Sequence, residues 1–569
     1  MSGGYVGAAA LPTTVEPSEA AWGYFVDHYK NNTKENSSPT SNPAIGVLSE
    51  FLKLWTPGST WGNGKKLNST LLDANIQKVE KMTTNRTPEE EKAAYLDDRR
   101  NQSYSVMDGL GSLTDVYRKL AGATTTLHDV PADATMKKYD DEGNNSGDPE
   151  SALGSIVTLV NTLRGSYSST NPSKSYFSYP RPFRWRDKVQ VLPTLIPAKN
   201  PDPTNDGGYP SGHTNAAYLT AFAMAYAVPE RYQELLTRAS ELGNNRIVTG
   251  MHSPFDVMGG RVMGTALAAA ILNDPDNSEI KKAAFDEAHS ILLTQTGNAA
   301  DRFNNDDKNK KEFTERLTYG FPQTGVTTEP VKVPKGAEVL LETRQPYLDS
   351  EQRRWVLATT GLASGYPVLD DAEGWGRLNL FAAADGYGAF VNDVTVNMDA
   401  SKGGFNAEDS WRNDISGTGK LTKEGTGTLM LEGRNTFSGG TQIDEGTIKA
   451  KSASALGSGN VTVNDGTLVK SVAGMLMIGR NYKQSENGTL ELYLARKSDV
   501  LEIKGMAAYD GTLRLNFANN YVPKGKVTII RSGGNSGEFD SIETFGLSDK
   551  YKVNVIYTGR TVQIDITTK

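Results

Sequence analysis

At 569 residues the chain is too long for one ordinary hydrophobic core, so two or three domains are expected. Its formal net charge of -7 at pH 7 argues against a nucleic-acid-binding protein, which normally presents a basic face. The sequence contains no cysteine, which excludes a disulfide scaffold, thiolate catalysis and a cysteine-ligated metal.

Residues 16–170 alternate helical patterns with polar loops. The segment Pro17–Val26 carries a helix start signal followed by an apolar face, and predicts a helix. The apolar run Ala152–Leu163 predicts another helix, and the polar segment 140–148 predicts a loop before it. This part of the chain is therefore expected to be mainly α-helical.

Two consecutive helices are predicted in the middle of the chain. Small apolar residues along Ala216–Val228 suit a closely packed central helix, which Pro229 ends. A second helix is predicted over Glu230–Leu242, with Gly243 as its stop signal.

Ser253 and Pro254 mark the start of a further helix, with serine as the N-cap and proline in the first turn. Its apolar run Val257–Leu272 contains Arg261, so we expect a core helix and not a membrane span. The charge-dense segment Asp301–Arg316 is expected to be a solvated face or a loop. Residues 1–390 are assigned to one domain because they lack the repeats that follow.

The composition changes at about residue 391, where helical patterns stop and apolar residues begin to alternate. A tripeptide of glycine, threonine and an aliphatic residue then recurs at intervals of 19, 20, 22 and 23 residues, at Gly427–Leu429, Gly446–Ile448, Gly466–Leu468, Gly488–Leu490 and Gly511–Leu513. Such intervals match one coil of a parallel β-solenoid, in which stacked coils bury the aliphatic stripe. We favour this fold for residues 391–569 over a β-sandwich with frequent glycine turns.

Ser211, Gly212 and His213 stand at a predicted helix start, where the first backbone N–H groups have no partner within the helix. With the helix dipole, these groups form an anion-binding site, and Gly212 leaves room for close approach. Taken alone, the pattern indicates only a serine cap beside an incidental histidine.

His252 and Asp256 lie four residues apart across another predicted helix start. The carboxylate can accept a hydrogen bond from one ring nitrogen and leave the other nitrogen free as a nucleophile. A helix-capping aspartate beside a structural histidine is an equally good interpretation of this pair by itself.

Lys174, Arg181 and Arg246 are three cations whose side chains suit phosphate oxygens, the arginines through a planar fork and the lysine as a point charge. Singly, each is best interpreted as a solvated surface residue. Charge-assisted hydrogen bonds contribute about 1.5–3 kcal/mol each, so three converging cations would bind a dianion firmly.

Together these residues resemble the three-part motif of the phosphatidic acid phosphatase type 2 and vanadium haloperoxidase superfamily, which includes the class A bacterial acid phosphatases. The order and internal spacings match, and the resemblance is strong over residues 150–275. The three parts are Lys174 to Pro182, Pro210 to His213, and Arg246 to Asp256. Asn245 stands where the family usually has serine, a departure that can alter phosphate affinity without abolishing activity.

The resemblance implies an all-α helical-bundle domain with a phosphohistidine mechanism. His252 would attack phosphorus, Asp256 would orient it, and His213 would protonate the leaving alcohol. The phosphoryl oxygens would be held by Lys174, Arg181, Ser211, the backbone N–H of Gly212, and Arg246. No metal is expected, since only two of the five histidines are well placed and no carboxylate–histidine cluster suggests a metal site.

The C-terminal segments Gly425–Leu431, Asn435–Thr441 and Leu456–Gly459 resemble the passenger-associated strand repeat of autotransporters. This resemblance implies a right-handed parallel β-helix and export from a Gram-negative cell. The protein would be secreted or displayed on the cell surface, through an outer-membrane translocator barrel that is expected to lie outside this chain.

Three functions remain open. The first is a metal-independent acid phosphatase acting on soluble phosphomonoesters or a lipid headgroup, with no nucleic-acid partner and no cofactor. The second is a vanadate-dependent haloperoxidase, because vanadate is isosteric with phosphate and could occupy the same pocket. The third is a structural or adhesive passenger with a vestigial site. We favour the first, since every expected residue type except serine at position 245 is present.

Overall fold

The computed structural model describes residues 9–569, which fall into two compact units. The first unit comprises residues 9–344 and Gly361–Ala384, and the second comprises Gln345–Thr360 and Asp385–Lys569. The helix Ser350–Thr360, which the sequence analysis assigned to the first domain, belongs to the second unit. The first unit ends at Ala384, a few residues before the composition change at residue 391.

The first unit consists of α-helices joined by loops and short 3-10 turns, which confirms the predicted helical domain. Its α-helices are Phe25–His28, Pro43–Val47, Ser69–Thr84, Pro88–Arg99, Gln102–Val106, Thr114–Ala121, Gly154–Leu163, Asn171–Phe177, Pro182–Trp185, Gly212–Ala227, Tyr232–Val248, Pro254–Asn273, Ser278–Ser290, Asp306–Thr318 and Leu380–Ala383. A short antiparallel pair joins Trp55–Thr56 to Lys65–Lys66.

The helix Gly212–Ala227 packs against both Tyr232–Val248 and Pro254–Asn273 at the centre of this unit. The last of these is long and apolar enough to cross a membrane by length and composition, but its apolar window is wholly buried within the unit. A Cβ added at Gly260 would lie 2.7 Å from the carbonyl oxygen of Ser211, so glycine is needed for the helices to approach. This contact brings the two helix starts of the predicted site together.

Two local predictions were wrong. The segment Pro17–Val26 enters a helix only at Phe25, where the short helix Phe25–His28 begins. Ala20 and Gly23 instead exchange backbone hydrogen bonds in a tight turn, in which Gly23 adopts a φ of +90°. Gly243 does not end its helix, which continues to Val248. A Cβ there would lie 3.0 Å from Cγ1 of Val257, so this glycine serves helix packing and not helix termination.

The second unit is a parallel β-solenoid of about six turns, which confirms the fold predicted from the repeat. One seven-stranded sheet contains Glu408–Trp411, Thr428–Leu431, Thr447–Ala450, Thr467–Lys470, Thr489–Leu494, Thr512–Phe517 and Ser541–Phe545. The other contains Val394–Asn397, Leu421–Glu424, Thr441–Ile443, Val461–Val463, Tyr482–Gln484, Met506–Tyr509 and Gly534–Gly537. A five-stranded sheet contains Met475–Ile478, Val500–Ile503, Lys526–Arg531, Thr561–Thr568 and Tyr551–Tyr557, and a short pair joins Ala389–Phe390 to Ser416–Gly417.

The recurring tripeptides stack in direct register along the first of these sheets. Their aliphatic residues form one fully buried column, which consists of Leu429, Ile448, Leu468, Leu490 and Leu513. Burying each such side chain stabilises the fold by about 1.5–3 kcal/mol. The parallel pairing rules out the antiparallel β-sandwich that the sequence left as an alternative.

Candidate active site

Ser211 caps the helix Gly212–Ala227, and its Oγ accepts a hydrogen bond from the backbone N–H of Thr214 at 3.2 Å. The backbone N–H groups of Gly212 and His213, at the start of this helix, have no intrahelical acceptor and suit an anion. Lys174 lies beside them, since a Cβ added at Gly212 would be 3.6 Å from its Nζ. Burial, together with the charges of Arg181 and Arg246, lowers the pKa of Lys174 to about 7.

His252 is buried between a carboxylate and a guanidinium. Its Nδ1 lies 3.2 Å from Oδ2 of Asp256, and its Nε2 lies 2.9 Å from Nη1 of Arg181. Because Arg181 can only donate, Nε2 carries the lone pair and Nδ1 carries the proton in the neutral ring. This is the tautomer that a nucleophilic Nε2 requires.

Asp256 also completes the capping box of its helix. Its Oδ2 accepts the backbone N–H of Ser253 at 2.8 Å, and its own N–H donates to the Ser253 hydroxyl at 3.3 Å. The sequence left open whether this aspartate caps a helix or orients His252, and the structure shows that it contacts both. Burial raises the pKa of Asp256 to about 7 and lowers that of His252 well below its ordinary value.

Arg181 is anchored from behind by a carboxylate that no sequence pattern indicated. Its Nε donates to Oδ1 of Asp206 at 2.8 Å, while Arg184 donates to the other oxygen at 2.5 Å. The pairing through Nε leaves the terminal nitrogen Nη1 of Arg181 directed at His252.

Arg246 and His213 share a second unforeseen partner, Asp98. Nη1 of Arg246 donates to Oδ2 of Asp98 at 2.5 Å, and Nε2 of His213 lies 3.2 Å from the Asp98 carbonyl oxygen. A carbonyl only accepts, so Nε2 of His213 carries a proton and Nδ1 is the remaining ring nitrogen. Burial and the charge of Arg246 lower the pKa of His213 to about 3.

The structure brings all eight predicted site residues into one cluster of the helical unit. Besides the contacts above, the backbone N–H of His252 donates to the Arg246 carbonyl at 3.2 Å, and that of Ser211 donates to the Asp256 carbonyl at 2.9 Å. Roles within the cluster stay predictions, because proximity alone does not assign them.

Asn245, the departure from the family pattern, contacts a different network. Its Nδ2 donates to Oδ2 of Asp97 at 2.7 Å, and Asp97 in turn pairs with the buried Arg238 at 2.5 Å. This position therefore supports the helix that carries Arg246, next to the cluster and not within it.

Within residues 9–569, no group of three or more His, Asp or Glu side chains is arranged to hold a metal ion. The candidate site instead brings three cations close to a helix start, and this set of hydrogen-bond donors suits a tetrahedral oxyanion. Metal independence itself stays a prediction.

Residues 155–279 match the PAP2 superfamily, and residues 421–450 match the Passenger-associated-transport-repeat. A non-specific acid phosphatase of Salmonella typhi is 36% identical over 118 residues, which cover 21% of this chain and 46% of that protein. An extracellular serine protease of Serratia marcescens is 29% identical over 39% of this chain and 23% of its own length. The neisserial autotransporter lipoprotein NalP of Neisseria meningitidis is 34% identical over 24% of this chain and 13% of its own length.

The chain thus spans less than half the length of each of these relatives. The similarity divides between acid phosphatases and autotransporters, in agreement with the helical unit and the solenoid. The clustered motif residues and the matching segment together identify residues 155–279 as a domain of the PAP2 superfamily, carried on the same chain as an autotransporter passenger-type β-solenoid.

Proposed function

We propose that the protein is a metal-independent acid phosphatase, which hydrolyses phosphomonoesters through a phosphohistidine intermediate. One observation carries the proposal: Nδ1 of His252 is bound to Asp256, and its Nε2 lies 2.9 Å from Arg181, beside two further cations. A neutral imidazole held in this way is a nucleophile placed where a phosphoryl group would bind.

In the first step, Nε2 of His252 attacks phosphorus and the bond from phosphorus to the ester oxygen breaks. The negative charge spreads over the equatorial oxygens, so fixed cations and N–H groups supply most of the stabilisation. The groups that would hold these oxygens are Lys174, Arg181, Ser211, the Gly212 N–H and Arg246.

His213, protonated on both ring nitrogens, gives the Nδ1 proton to the departing alkoxide and becomes neutral, while its Nε2–H stays directed at the Asp98 carbonyl. Burial and Arg246 lower the pKa of this histidine to about 3, and the negative charge of a bound phosphoryl group would raise it again. A positioned general acid of this kind contributes roughly 10²–10⁴-fold to the rate.

In the second step, water attacks the phosphohistidine while neutral His213 accepts the proton of the water. The bond from phosphorus to Nε2 then breaks, which releases inorganic phosphate and restores both histidines. His213 gives one proton to the leaving group in the first step and regains one from water in the second. The proposed cycle therefore needs no other proton donor or acceptor.

We further propose that the protein is secreted or displayed on the surface of a Gram-negative cell, as an autotransporter passenger whose outer-membrane barrel is a separate domain. Support comes from the passenger repeat at residues 421–450 and from relatives named as an extracellular protease and an autotransporter. Soluble phosphomonoesters or an exposed lipid headgroup are the expected substrates.

The direct test is turnover of p-nitrophenyl phosphate in the presence of EDTA, together with a denaturing alkaline quench after a substrate with a radiolabelled phosphoryl group. Wild type should turn over and form an acid-labile, base-stable label, and His252→Ala should do neither. His289→Ala is the matched control, since His289 pairs with Glu230 at 2.9 Å and contacts none of the site residues described above. Full activity in His252→Ala would overturn the proposal.

Vanadate is the alternative occupant. The residues that fit phosphate would also hold this isosteric anion, which would supply peroxide activation when bound. Bromide oxidation that requires added vanadate and peroxide, without phosphate release, would favour the haloperoxidase. No reaction of either kind in a folded protein would favour a structural or adhesive passenger.

A further inference from the structure

Asp98 places a buried carboxylate in contact with the candidate phosphate site. It lies near the end of the helix Pro88–Arg99, and its side chain is 7% exposed. Its Oδ2 accepts from Arg246, its Oδ1 accepts from Arg99 at 3.3 Å, and its carbonyl oxygen accepts from His213. A single residue outside the three-part motif thus contacts one phosphate-binding candidate and the candidate general acid.

The adjacent Asp97 shows what a purely structural carboxylate does here. Both oxygens of Asp97 accept from Arg238, at 2.5 and 3.0 Å, and Asn245 completes the network. Neither partner of Asp97 in this network is a candidate site residue. Asp98, by contrast, faces an arginine that a ligand would need.

The two site arginines use their nitrogens differently. Arg181 gives Nε to Asp206, while its terminal Nη1 lies 2.9 Å from His252 Nε2 and also donates to the Met251 carbonyl at 3.3 Å. Arg246 gives the terminal Nη1 to Asp98, while its Nε has no hydrogen-bond partner among the described residues. One of the two terminal nitrogens of Arg246 is therefore already bound to an internal anion.

We propose that Asp98 limits how tightly the site holds phosphate. This inference rests on the proposed phosphatase function. The carboxylate competes with phosphoryl oxygens for Nη1 of Arg246 and repels them, so the affinity for the phosphate product stays low and the product leaves. The same negative charge favours the protonated form of His213, which the first step needs.

Removing the negative charge of Asp98 should strengthen phosphate binding and not weaken it. Asp98→Asn keeps an oxygen acceptor for Arg246 but removes the repulsion, so inorganic phosphate should bind more tightly, on the order of tenfold. The kcat should not rise, because His213 loses a stabilising charge. Damage to the fold would instead weaken phosphate binding, so the direction separates this role from a structural one.

The experiment is calorimetric titration of the full chain with inorganic phosphate, with product-inhibition constants for the same proteins. Asp286→Asn is the matched control: it removes the same charge from a 57%-exposed residue that pairs with Lys282. Its phosphate affinity should equal that of wild type. Folding of each variant is checked by thermal unfolding.

Tighter binding in Asp98→Asn and unchanged binding in Asp286→Asn support the inference. Equal or weaker binding in folded Asp98→Asn overturns it and leaves the proposed phosphatase untouched. Absence of phosphate binding in the wild type would overturn both. If Asp98→Asn does not fold, Asp98→Ser removes the same charge with a smaller side chain and is judged by the same outcomes.

Discussion

Oδ2 of Asp256 lies 3.2 Å from Nδ1 of His252 and also accepts the backbone N–H of Ser253, while Oδ1 has no hydrogen-bond partner among the described residues. One carboxylate oxygen therefore both orients the proposed nucleophile and caps a helix. The two contributions can be separated, because they involve different partners.

Asp256→Asn should lower kcat by about 10²–10³-fold. The amide oxygen can replace Oδ2 as the acceptor, but the negative charge that balances the positive charge gained by the His252 ring during attack is lost. The control is Ser253→Ala, which weakens the helix cap at a cost of about 1 kcal/mol but leaves the carboxylate in place. Steady-state kinetics and denaturant unfolding measure the two effects. Near-wild-type kcat in Asp256→Asn would contradict the assigned role.

Lys174 should set the alkaline limit of the reaction. Its pKa is lowered to about 7 by burial and by Arg181 and Arg246, so it is charged below that pH and loses its proton as the pH rises. The kcat/KM should therefore fall above about pH 7, because this ratio reports groups of the free enzyme.

Lys174→Gln tests this assignment. It should lower kcat/KM by about 10–100-fold at pH 6, as expected for loss of one charge-assisted hydrogen bond, and remove the decline above neutrality. Profiles of kcat/KM from pH 5 to 9 give both readings. An unchanged alkaline limb in Lys174→Gln would assign that limb to another group.

Asn245→Ser restores the residue that the family usually carries, but should chiefly affect stability. The shorter side chain loses the 2.7 Å hydrogen bond to buried Asp97, at a cost of about 1–3 kcal/mol in the free energy of unfolding. Phosphate affinity should change by less than about threefold, since Asn245 bonds Asp97 and not a candidate site residue. A large change in affinity without a change in stability would contradict this.

Leu490→Ala should destabilise the second unit by about 2–5 kcal/mol, because Leu490 is fully buried in register with Leu468 and Leu513. Phosphatase activity in native buffer should be unchanged, since every candidate site residue belongs to the first unit. Glu491→Ala on the same strand loses only a 3.4 Å ion pair with Arg514 and should cost less than about 1 kcal/mol. Equal losses in the two variants would contradict the buried-column interpretation.

Features with a local or repeated pattern could be predicted from the sequence. The solenoid follows from a tripeptide that recurs once per coil, and the capped start at Ser253 follows from adjacent residues. The candidate site could be assembled in advance because its parts match a known spacing.

Features that depend on distant partners could not be predicted. Asp98 meets Arg246 across 148 residues, and Asp206 meets Arg181 across 25, with no periodicity to link them. Glycine is typical of a helix end, but Gly243 lies within a helix because a larger residue there would crowd Val257 of another helix. In each case the deciding contact exists only after the chain has folded.

The register of the solenoid also sets how that unit can form. Each coil pairs with neighbours about one repeat away, as Thr447 does with Thr428 and Thr467, so each added coil closes only a short loop. A chain delivered end first can therefore extend the solenoid coil by coil. The helical unit cannot grow in this way, because the pairing of Asp98 with Arg246 requires both ends of a long segment to be present.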